Sequence, residues 1–418
     1  MSSPSFEIEW VRSQFPALAE RVGGQPAVFF DGPGGTQVTQ GVIDAIRDYL
    51  IHANANTHGA FATSARSDAI IAEAHQAMAD MLGCDADEVV FGPNMTTLTF
   101  TLSRSIGRGI QPGDEIVLTR LDHDANFSPW KALEERGAVI KVVDIDTEDC
   151  TLDMDDLRRQ ITPKTKLVAI GYASNAVGSI SDVAEAVRLA HAVGALCFID
   201  AVHYAPHGPI DVRALDCDFL ACSPYKFFAP HMGTIYGKRE HLTKLQPYKV
   251  RPASDATPDR WETGTKNHEG LAGVVAAVNY LAELGRRTAP AAPASRREAI
   301  QAAMAAIHTY ELALAQRLIA GLLAIPGLAF YGIREPERLD QRTPTVAIRI
   351  DGIAPAELAQ QLGERGIFTW DGNYYALNLS ERLGLEESGG MLRIGLVHYN
   401  TAEEVDRLLA ALHEIVAA

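Results

Sequence analysis

The feature that most constrains the fold is an alternation of short apolar segments with amphipathic helical patterns between about residues 40 and 285. The apolar segments are nearly continuous, which is typical of strands buried on both faces of a parallel sheet. The predicted strands are 88–91, 115–119, 139–143, 167–172, 195–200, 219–222 and 233–236. The predicted helices are 42–52, 67–82, one beginning at 96, 128–136, 154–160 and 183–193. We therefore predict an α/β fold with a mostly parallel sheet flanked by helices.

The composition changes at residues 286–297, where the sequence RRTAPAAPASRR is rich in alanine, proline and arginine and is typical of a linker. Beyond it we predict a long helix over 298–324, strands over 345–350 and 391–395, and helices over 356–365 and 401–417. Four segments follow from this pattern: an N-terminal helical segment at 1–20 that packs with the small domain, a large ligand-binding domain at 21–285, the linker at 286–297, and a smaller α+β C-terminal domain at 298–418.

The composition narrows the classes of partner and the compartment. The net charge is −16, whereas nucleic acid and anionic membranes both favour a basic surface, so we expect neither as a partner. The five cysteines form no CxxC pair, and Cys197, Cys217 and Cys222 lie in or beside apolar strands. We expect buried thiols, with no disulfide and no metal site. The first ten residues lack a signal-peptide pattern and no run of about 18 apolar residues occurs, so we expect a cytoplasmic protein.

Polar residues follow four of the predicted strands where each strand ends: His123, Asn175, Asp200 and Lys226. In open α/β sheets, ligands bind outside the carboxyl ends of the strands. An aspartate at a strand end with a lysine after the next strand is the pair that pyridoxal 5′-phosphate (PLP) requires. The aspartate keeps the pyridine nitrogen protonated, and the lysine forms the Schiff base and later moves protons at Cα. Asp200 and Lys226 therefore predict a PLP site in the large domain.

Hydroxyl groups beside these strands predict a phosphate site. Thr96 lies at the start of a helix that follows a strand, and a helix N-terminus with hydroxyl groups binds anions. Read alone, this threonine is more often an ordinary helix cap. Ser223 and Tyr225, just before Lys226, supply further hydroxyls.

Three more residues are candidates for contacts with the cofactor ring. His123 is placed to stack on the ring and to relay protons, which imidazole does near neutral pH. Asn175 is placed to donate to the ring hydroxyl or to a substrate carboxylate. His203 follows Asp200 by three residues and is a candidate for the same hydroxyl, the alternative being a histidine bonded to backbone.

Beyond these single positions, longer runs occur in order along nearly the whole chain. They are FFDGPGG (29–35), NANTHGAF (54–61), the turn at 94–99, DHDANFSPW (122–130), SNAVGSI (174–180), FIDAVHYAPHGPIDV (198–212), DCDFLACSPYKFFAPHMGTIYG (216–237), WETGTKNHEG (261–270) and LRIGLVHYNTAEEVDRLL (392–409). With these runs the chain resembles the class V aminotransferase family of PLP fold type I, and specifically its cysteine desulfurase branch.

The resemblance implies a role at each matching position of the cofactor ring site. Lys226 corresponds to the Schiff-base lysine, Asp200 to the partner of the pyridinium nitrogen, and His123 to the histidine that stacks on the ring. Asn175 and His203 correspond to residues near the ring hydroxyl, although desulfurases usually have glutamine where His203 stands. Lys226, Asp200 and His123 are therefore the predicted catalytic residues.

Phosphate contacts are implied in the same way. Met95, Thr96 and Ser223 correspond to phosphate ligands. Tyr225 stands where desulfurases have a phosphate-binding histidine, and its phenol is still a donor. Thr265 resembles a threonine that reaches the phosphate across a dimer interface, which implies a homodimer.

Arg393 resembles the arginine that clamps the substrate α-carboxylate, a bidentate task that suits guanidinium. The expected substrate is therefore a small-molecule amino acid.

The chain departs from the desulfurase pattern at residues 366–376. Desulfurases have a nucleophilic cysteine about where Tyr375 stands and an arginine about where Trp370 stands. A thiolate is needed to attack the substrate sulfur and hold a persulfide, and a phenol cannot do this. We therefore expect Tyr375 to contact the substrate in a reshaped, bulkier pocket. The alternative is an aromatic loop that packs away from the substrate.

Three functions remain open at this stage. The first is a C–S lyase that acts by β-elimination without a persulfide cysteine, with His123 or Tyr375 as the acid for the leaving group. The second is another class V reaction on an unidentified amino acid: transamination, epimerization or decarboxylation. The third is a scaffold protein that keeps the fold without catalysis. The joint presence of Lys226, Asp200, His123 and Arg393 argues against it.

Overall fold

A computed structural model describes residues 6–417 of the chain. Its α-helices are α1 Ile8–Ser13, α2 Gln40–His52, α3 Ala62–Leu82, α4 Met95–Ile106, α5 Ser128–Lys131, α6 Met154–Gln160, α7 Val183–Ala192, α8 Val212–Leu215, α9 Arg239–Lys244, α10 His268–Thr288, α11 Arg296–Leu323, α12 Pro355–Glu364, α13 Leu377–Arg382 and α14 Ala402–Ala417. Its strands are β1 Arg21–Val22, β2 Gln25–Pro26, β3 Val28–Phe29, β4 Val89–Gly92, β5 Glu115–Thr119, β6 Val139–Val143, β7 Thr165–Gly171, β8 Leu196–Asp200, β9 Phe219–Cys222, β10 Gly233–Gly237, β11 Leu328–Tyr331, β12 Thr345–Ile350, β13 Ile367–Phe368, β14 Trp370–Gly372 and β15 Met391–Gly395.

The main sheet has seven strands in the order β4-β10-β9-β8-β7-β5-β6. Strand β10 runs antiparallel to both of its neighbours, and the other pairings are parallel. Alternate residues of one strand enter two different cores: Leu220 and Cys222 of β9 pack in one cluster, and Phe219 and Ala221 pack in another. Both faces of the sheet are therefore covered, which confirms the predicted mostly parallel sheet flanked by helices.

A second sheet gives the smaller α+β unit that the sequence predicts. Its four strands are antiparallel in the order β11-β12-β15-β14. Residues of α11, α12 and α14 share one apolar core with it. The short strand β14 pairs with β15 so that Trp370 lies opposite Arg393. This pairing places the 366–376 segment beside the carboxyl ends of the parallel strands of the main sheet.

The N-terminal helix contacts both units. Trp10 stacks on Tyr280 of α10 with ring centroids 5.8 Å apart, and Arg12 pairs with Glu404 of α14 at 2.9 Å. Residues 1–5 of the predicted 1–20 segment lie outside the described residues. Around the predicted linker, α10 extends to Thr288 and α11 begins at Arg296, so the non-helical part is 289–295. The domain boundaries stay a prediction.

Among the residues that the structure describes, no helix has the length and apolarity needed to cross a membrane.

Candidate active site

A cavity of about 720 Å³ opens at the carboxyl ends of β5, β7, β8 and β9. The predicted site residues that line it are Met95, Thr96, His123, Asn175, Asp200, His203, Ser223, Tyr225, Lys226, Tyr375 and Arg393. Thr265 is the exception, because it is exposed in the segment before α10 and does not line the cavity. Residues far apart in the sequence thus share one cavity, while their individual roles remain predictions.

Lys226 ends a short 3-10 helix, Pro224–Lys226, which is separated from β9 by Ser223. Burial lowers the pKa of Lys226 to about 7, with the Arg393 charge acting in the same direction and Asp200 and Asp31 opposing it. Its Nζ donates to the Pro33 carbonyl. A lysine that is half unprotonated at neutral pH is a competent nucleophile and base.

Asp200 is the last residue of β8 and is almost fully buried. Its Oδ1 accepts a hydrogen bond from the Val202 N–H at 2.9 Å. Burial raises the pKa of Asp200 to about 6, while the Val202 hydrogen bond and the Lys226 charge act the other way. The carboxyl is therefore mainly ionised at neutral pH, as a partner for a protonated ring nitrogen must be.

Asp122 is a second buried carboxyl in the cavity lining that the sequence did not single out. It accepts hydrogen bonds from the Thr119 hydroxyl at 2.6 Å and the Asn126 amide at 3.0 Å. Burial raises its pKa to about 7 against these hydrogen bonds, and the Asp200 charge adds to the increase. Its position next to His123 in the sequence was the available signal.

The start of α4 lies at the wall of the cavity. Asn94 caps the helix by accepting from the Thr97 N–H at 2.8 Å, and Met95 and Thr96 face the cavity. The amide groups of a first helical turn have no partner inside the helix. Gly233 of β10 lies against this turn so closely that a Cβ there would collide with the Asn94 backbone. Glycine at 233 therefore lets the helix N-terminus approach the sheet.

His123 is held as a neutral ring. Its Nδ1 accepts from the Ala125 N–H at 3.0 Å, so the proton of the neutral imidazole is on Nε2. Burial lowers the pKa of His123 to about 4, and the Lys226 and Arg393 charges add to the decrease. The Tyr375 ring stacks on it at a centroid distance of 5.4 Å and an angle of 20°.

His203 is also a neutral ring. Its Nε2 is hydrogen-bonded to the Thr343 hydroxyl at 3.1 Å, and that hydroxyl also lies 3.3 Å from the Gly178 carbonyl. Burial, followed by the charge of His207, lowers the pKa of His203 well below its ordinary value. His207 in turn pairs with the buried Glu311 at 2.8 Å.

Arg393 is fully enclosed and held by two neighbours. Its Nη1 donates to the Asn175 carbonyl at 2.8 Å, and its guanidinium carbon lies 4.2 Å from the centroid of the Tyr374 ring. The Asn175 amide donates to the Tyr374 carbonyl at 2.9 Å. Burial lowers the pKa of Arg393 to about 10, with Tyr374 and Asp31 opposing, so the guanidinium stays charged at neutral pH.

Asp31 is a further acidic residue that sequence reasoning missed. Burial raises its pKa to about 6, against the charges of Arg393 and Lys226. Within residues 6–417 its Oδ1 has no hydrogen-bond partner. The run FFDGPGG contains it, but only the fold brings it near the two cations.

The 366–376 segment forms one wall of the cavity. Tyr374 and Tyr375 both adopt left-handed backbone, with φ of 56° and 60°. The Asp124 N–H donates to the Tyr375 carbonyl at 2.7 Å, and the Tyr375 N–H donates to Asn373 Oδ1 at 3.0 Å. The Tyr375 side chain is 71% exposed and Trp370 is 50% exposed, and both line the cavity.

Comparison with known proteins gives the family. The model of the family described as Aminotransferase class-V matches residues 28–312 and 294–408. The chain belongs to the class V aminotransferase family. The aminotransferase-like protein FGM3 of Gibberella zeae is 33% identical over the full length of both chains. A cysteine desulfurase of Dickeya dadantii is 32% identical over 98% of this chain and 97% of its own.

Solved structures agree with this family. The cysteine desulfurase of Thermococcus onnurineus NA1 has a TM-score of 0.87 at 26% identity, covering 100% of this chain and 99% of its own. The cysteine desulfurase CsdA of Escherichia coli has a TM-score of 0.84 at 26% identity, covering 99% of both chains. The fold is therefore PLP fold type I, and this member of the class V aminotransferase family is a PLP-dependent enzyme.

The residues present fit this cofactor. Two buried polar atoms of cavity residues have no partner within the described part of the chain: Asn175 Oδ1 and Arg393 Nε. Burying polar atoms without partners is costly, so such atoms point to a missing ligand. The first turn of α4 has amide groups of the kind that bind a phosphate, and Lys226 and Asp200 are an amine and a carboxylate of the kind that PLP requires.

Proposed function

We propose that the protein is a PLP-dependent C–S lyase that cleaves cysteine or an S-substituted cysteine by β-elimination, without a persulfide cysteine. The observation that carries the proposal is the position of the thiols. All five cysteines lie within residues 6–417, and none of them lines the cavity. Burial raises the pKa of each thiol. A protein without a reactive thiolate at its active site lacks the nucleophile that sulfur transfer requires.

The cofactor would be held by the residues that line the cavity. The phosphate would bind at Met95, Thr96, Ser223 and Tyr225. The ring would lie among His123, Asp200, Asn175 and His203. Bound PLP supplies an electron sink for the pair left at the substrate Cα when its proton is removed.

The chain's own groups supply the rest of the chemistry. Arg393 binds the α-carboxylate, and Lys226 Nζ removes the Cα proton, for which a pKa of about 7 suits it. The bond from Cβ to sulfur then breaks. A thiolate is a good leaving group because thiol pKa values are about 8.5. The neutral His123 ring, through Nε2–H, and the Tyr375 hydroxyl donate hydrogen bonds to the departing thiolate, which takes its proton from solvent. With one water, the products are a thiol, pyruvate and ammonia.

The proposal includes a homodimer and a cytoplasmic location. The exposure of Thr265, outside the cavity of its own chain, supports a role in the cavity of a neighbouring subunit.

Product analysis tests the proposal. The PLP-loaded protein is incubated with L-cysteine, S-methyl-L-cysteine and S-benzyl-L-cysteine, and pyruvate and thiol are quantified. We expect equal amounts of both from at least one substrate, and none from Lys226→Ala. Pyruvate from no substrate would refute the lyase. A keto acid with an intact side chain would instead indicate transamination, and an inverted amino acid would indicate epimerization.

A further inference from the structure

Two exposed aromatic side chains stand at the mouth of the cavity, Trp370 and Tyr375, and we name them the aromatic mouth. Neither is needed to hold the cofactor or the α-carboxylate. We infer that the aromatic mouth binds a planar, aromatic substituent on the substrate sulfur, so that the preferred substrates are S-aryl or S-benzyl cysteines. The inference rests on the proposed function for the identity of the bond cleaved, and it specifies the group beyond that bond.

Trp370 is positioned next to the carboxylate clamp. It lies opposite Arg393 in the β14–β15 pair, and opposite residues of neighbouring strands have Cβ atoms about 4.5–5.5 Å apart. Its indole lies across Gly34, where any Cβ would collide with the indole nitrogen. An amino acid whose carboxylate binds Arg393 therefore has the indole within reach of its side chain.

Tyr375 is fixed in an unfavourable backbone conformation. A bulky residue with positive φ is disfavoured, and such residues cluster at ligand sites where the surroundings hold them. Here the hydrogen bonds from Asp124 and to Asn373 hold the Tyr375 peptide, and the His123 ring supports one face of the phenol. Tyr375 is nevertheless 71% exposed, so its own packing does not explain the conformation. A ring presented in this way is preorganised for stacking.

The charge at the mouth further restricts the substituent. Asp371 and Glu386 line the cavity beside the aromatic mouth. Within the part of the chain that the structure describes, Lys226 and Arg393 are the only Lys or Arg side chains of the lining. Both are buried and already assigned to the cofactor and the carboxylate. An anionic substituent would meet two carboxylates and no free cation, so we expect neutral or cationic groups to be preferred.

Binding and cleavage are measured separately. Dissociation constants of S-methyl-, S-benzyl- and S-(4-carboxybenzyl)-L-cysteine are taken from the change in absorbance of the bound cofactor on mixing, before turnover. Pyruvate release is followed in parallel. We expect S-benzyl-L-cysteine to bind about tenfold tighter than S-methyl-L-cysteine, as two aromatic contacts would give. The 4-carboxy group should remove most of that gain, and Asp371→Asn should restore part of it.

Variants assign the effect to the aromatic mouth. Trp370→Ala and Tyr375→Ala should each reduce the benzyl-to-methyl ratio to about threefold or less. Leu323→Ala is the control, because Leu323 is 46% exposed at the end of α11 and lies outside the cavity. It should leave the ratio unchanged. Equal binding of the benzyl and methyl compounds, or a ratio that survives both aromatic substitutions, overturns the inference. Tight benzyl binding without pyruvate release supports the aromatic site while refuting the lyase.

Discussion

Tyr374 should control how tightly the enzyme binds an α-carboxylate, although it does not itself carry a charge. Its ring lies 4.2 Å from the Arg393 guanidinium, in a buried position. A desolvated cation–π contact contributes roughly 2 kcal/mol, which corresponds to about 30-fold in a dissociation constant. Tyr374→Leu removes the ring and leaves the Asn175 carbonyl as the remaining neighbour that holds Arg393. We therefore expect the dissociation constant of S-methyl-L-cysteine to rise by about 30-fold at most and by about fivefold at least.

The matched variant is Tyr374→Phe, which keeps the ring and loses the hydrogen bond from the hydroxyl to the Met391 carbonyl. It should cost about 1 kcal/mol of unfolding free energy but leave amino acid binding within about threefold of the original. The assay is titration of the cofactor absorbance with S-methyl-L-cysteine and with 2-(methylthio)ethylamine, which lacks the carboxylate. If Tyr374→Leu weakens the amine as much as the amino acid, the effect does not act through Arg393 and the reasoning is refuted.

Three further predictions concern other parts of the site. Lys226, with a pKa of about 7, should react with added PLP at a rate that rises between about pH 6 and 8 and is constant at higher pH, because only the unprotonated amine attacks. A rate that keeps rising to about pH 10 would indicate a lysine with an ordinary pKa. Thr343→Val leaves the buried His203 Nε2 without its hydrogen-bond partner, so the free energy of unfolding in urea should fall by about 1–3 kcal/mol, and an unchanged midpoint would contradict a stabilising role for this hydrogen bond. Gly233→Ala should displace the start of α4 and weaken PLP binding by about tenfold or more. Gly363→Ala is the control, because a Cβ there meets open space, and it should not change PLP binding. Equal PLP affinity in both variants would refute the role of Gly233.

Much of the fold follows from the sequence because buried parallel strands are continuous apolar runs. The predicted bounds of 115–119, 139–143 and 219–222 coincide with β5, β6 and β9. Helix α3 begins at Ala62, five residues before the predicted start. The prediction missed residues 62–66 because they have no apolar periodicity. Strand β14 was not predicted. Its three residues are partly or fully exposed, and only the pairing with β15 makes it a strand.

The position of Asp200 and Lys226 in one cavity was predictable because both lie at or just after strand ends on the same side of the sheet. Other features were not predictable, because they arise from burial or from contacts between residues that are far apart in the sequence. Asp122 has a raised pKa because the fold encloses it, and Asp31 interacts with Arg393 only after 362 residues of chain separation are closed. The hydrogen bond of His203 Nε2 likewise depends on Thr343, which belongs to the segment before β12. The residues next to these positions in the sequence do not reveal such long-range contacts.

The most direct test of the proposed lyase determines where the sulfur atom of the substrate goes. The PLP-loaded protein is supplied with L-cysteine, and the five cysteines are then examined by peptide mass spectrometry while pyruvate and sulfide are quantified in solution. For a lyase without a persulfide cysteine, we expect pyruvate and sulfide in equal amounts and every cysteine-containing peptide at its unmodified mass. Alanine as the product, together with an added sulfur atom on any cysteine, would contradict it.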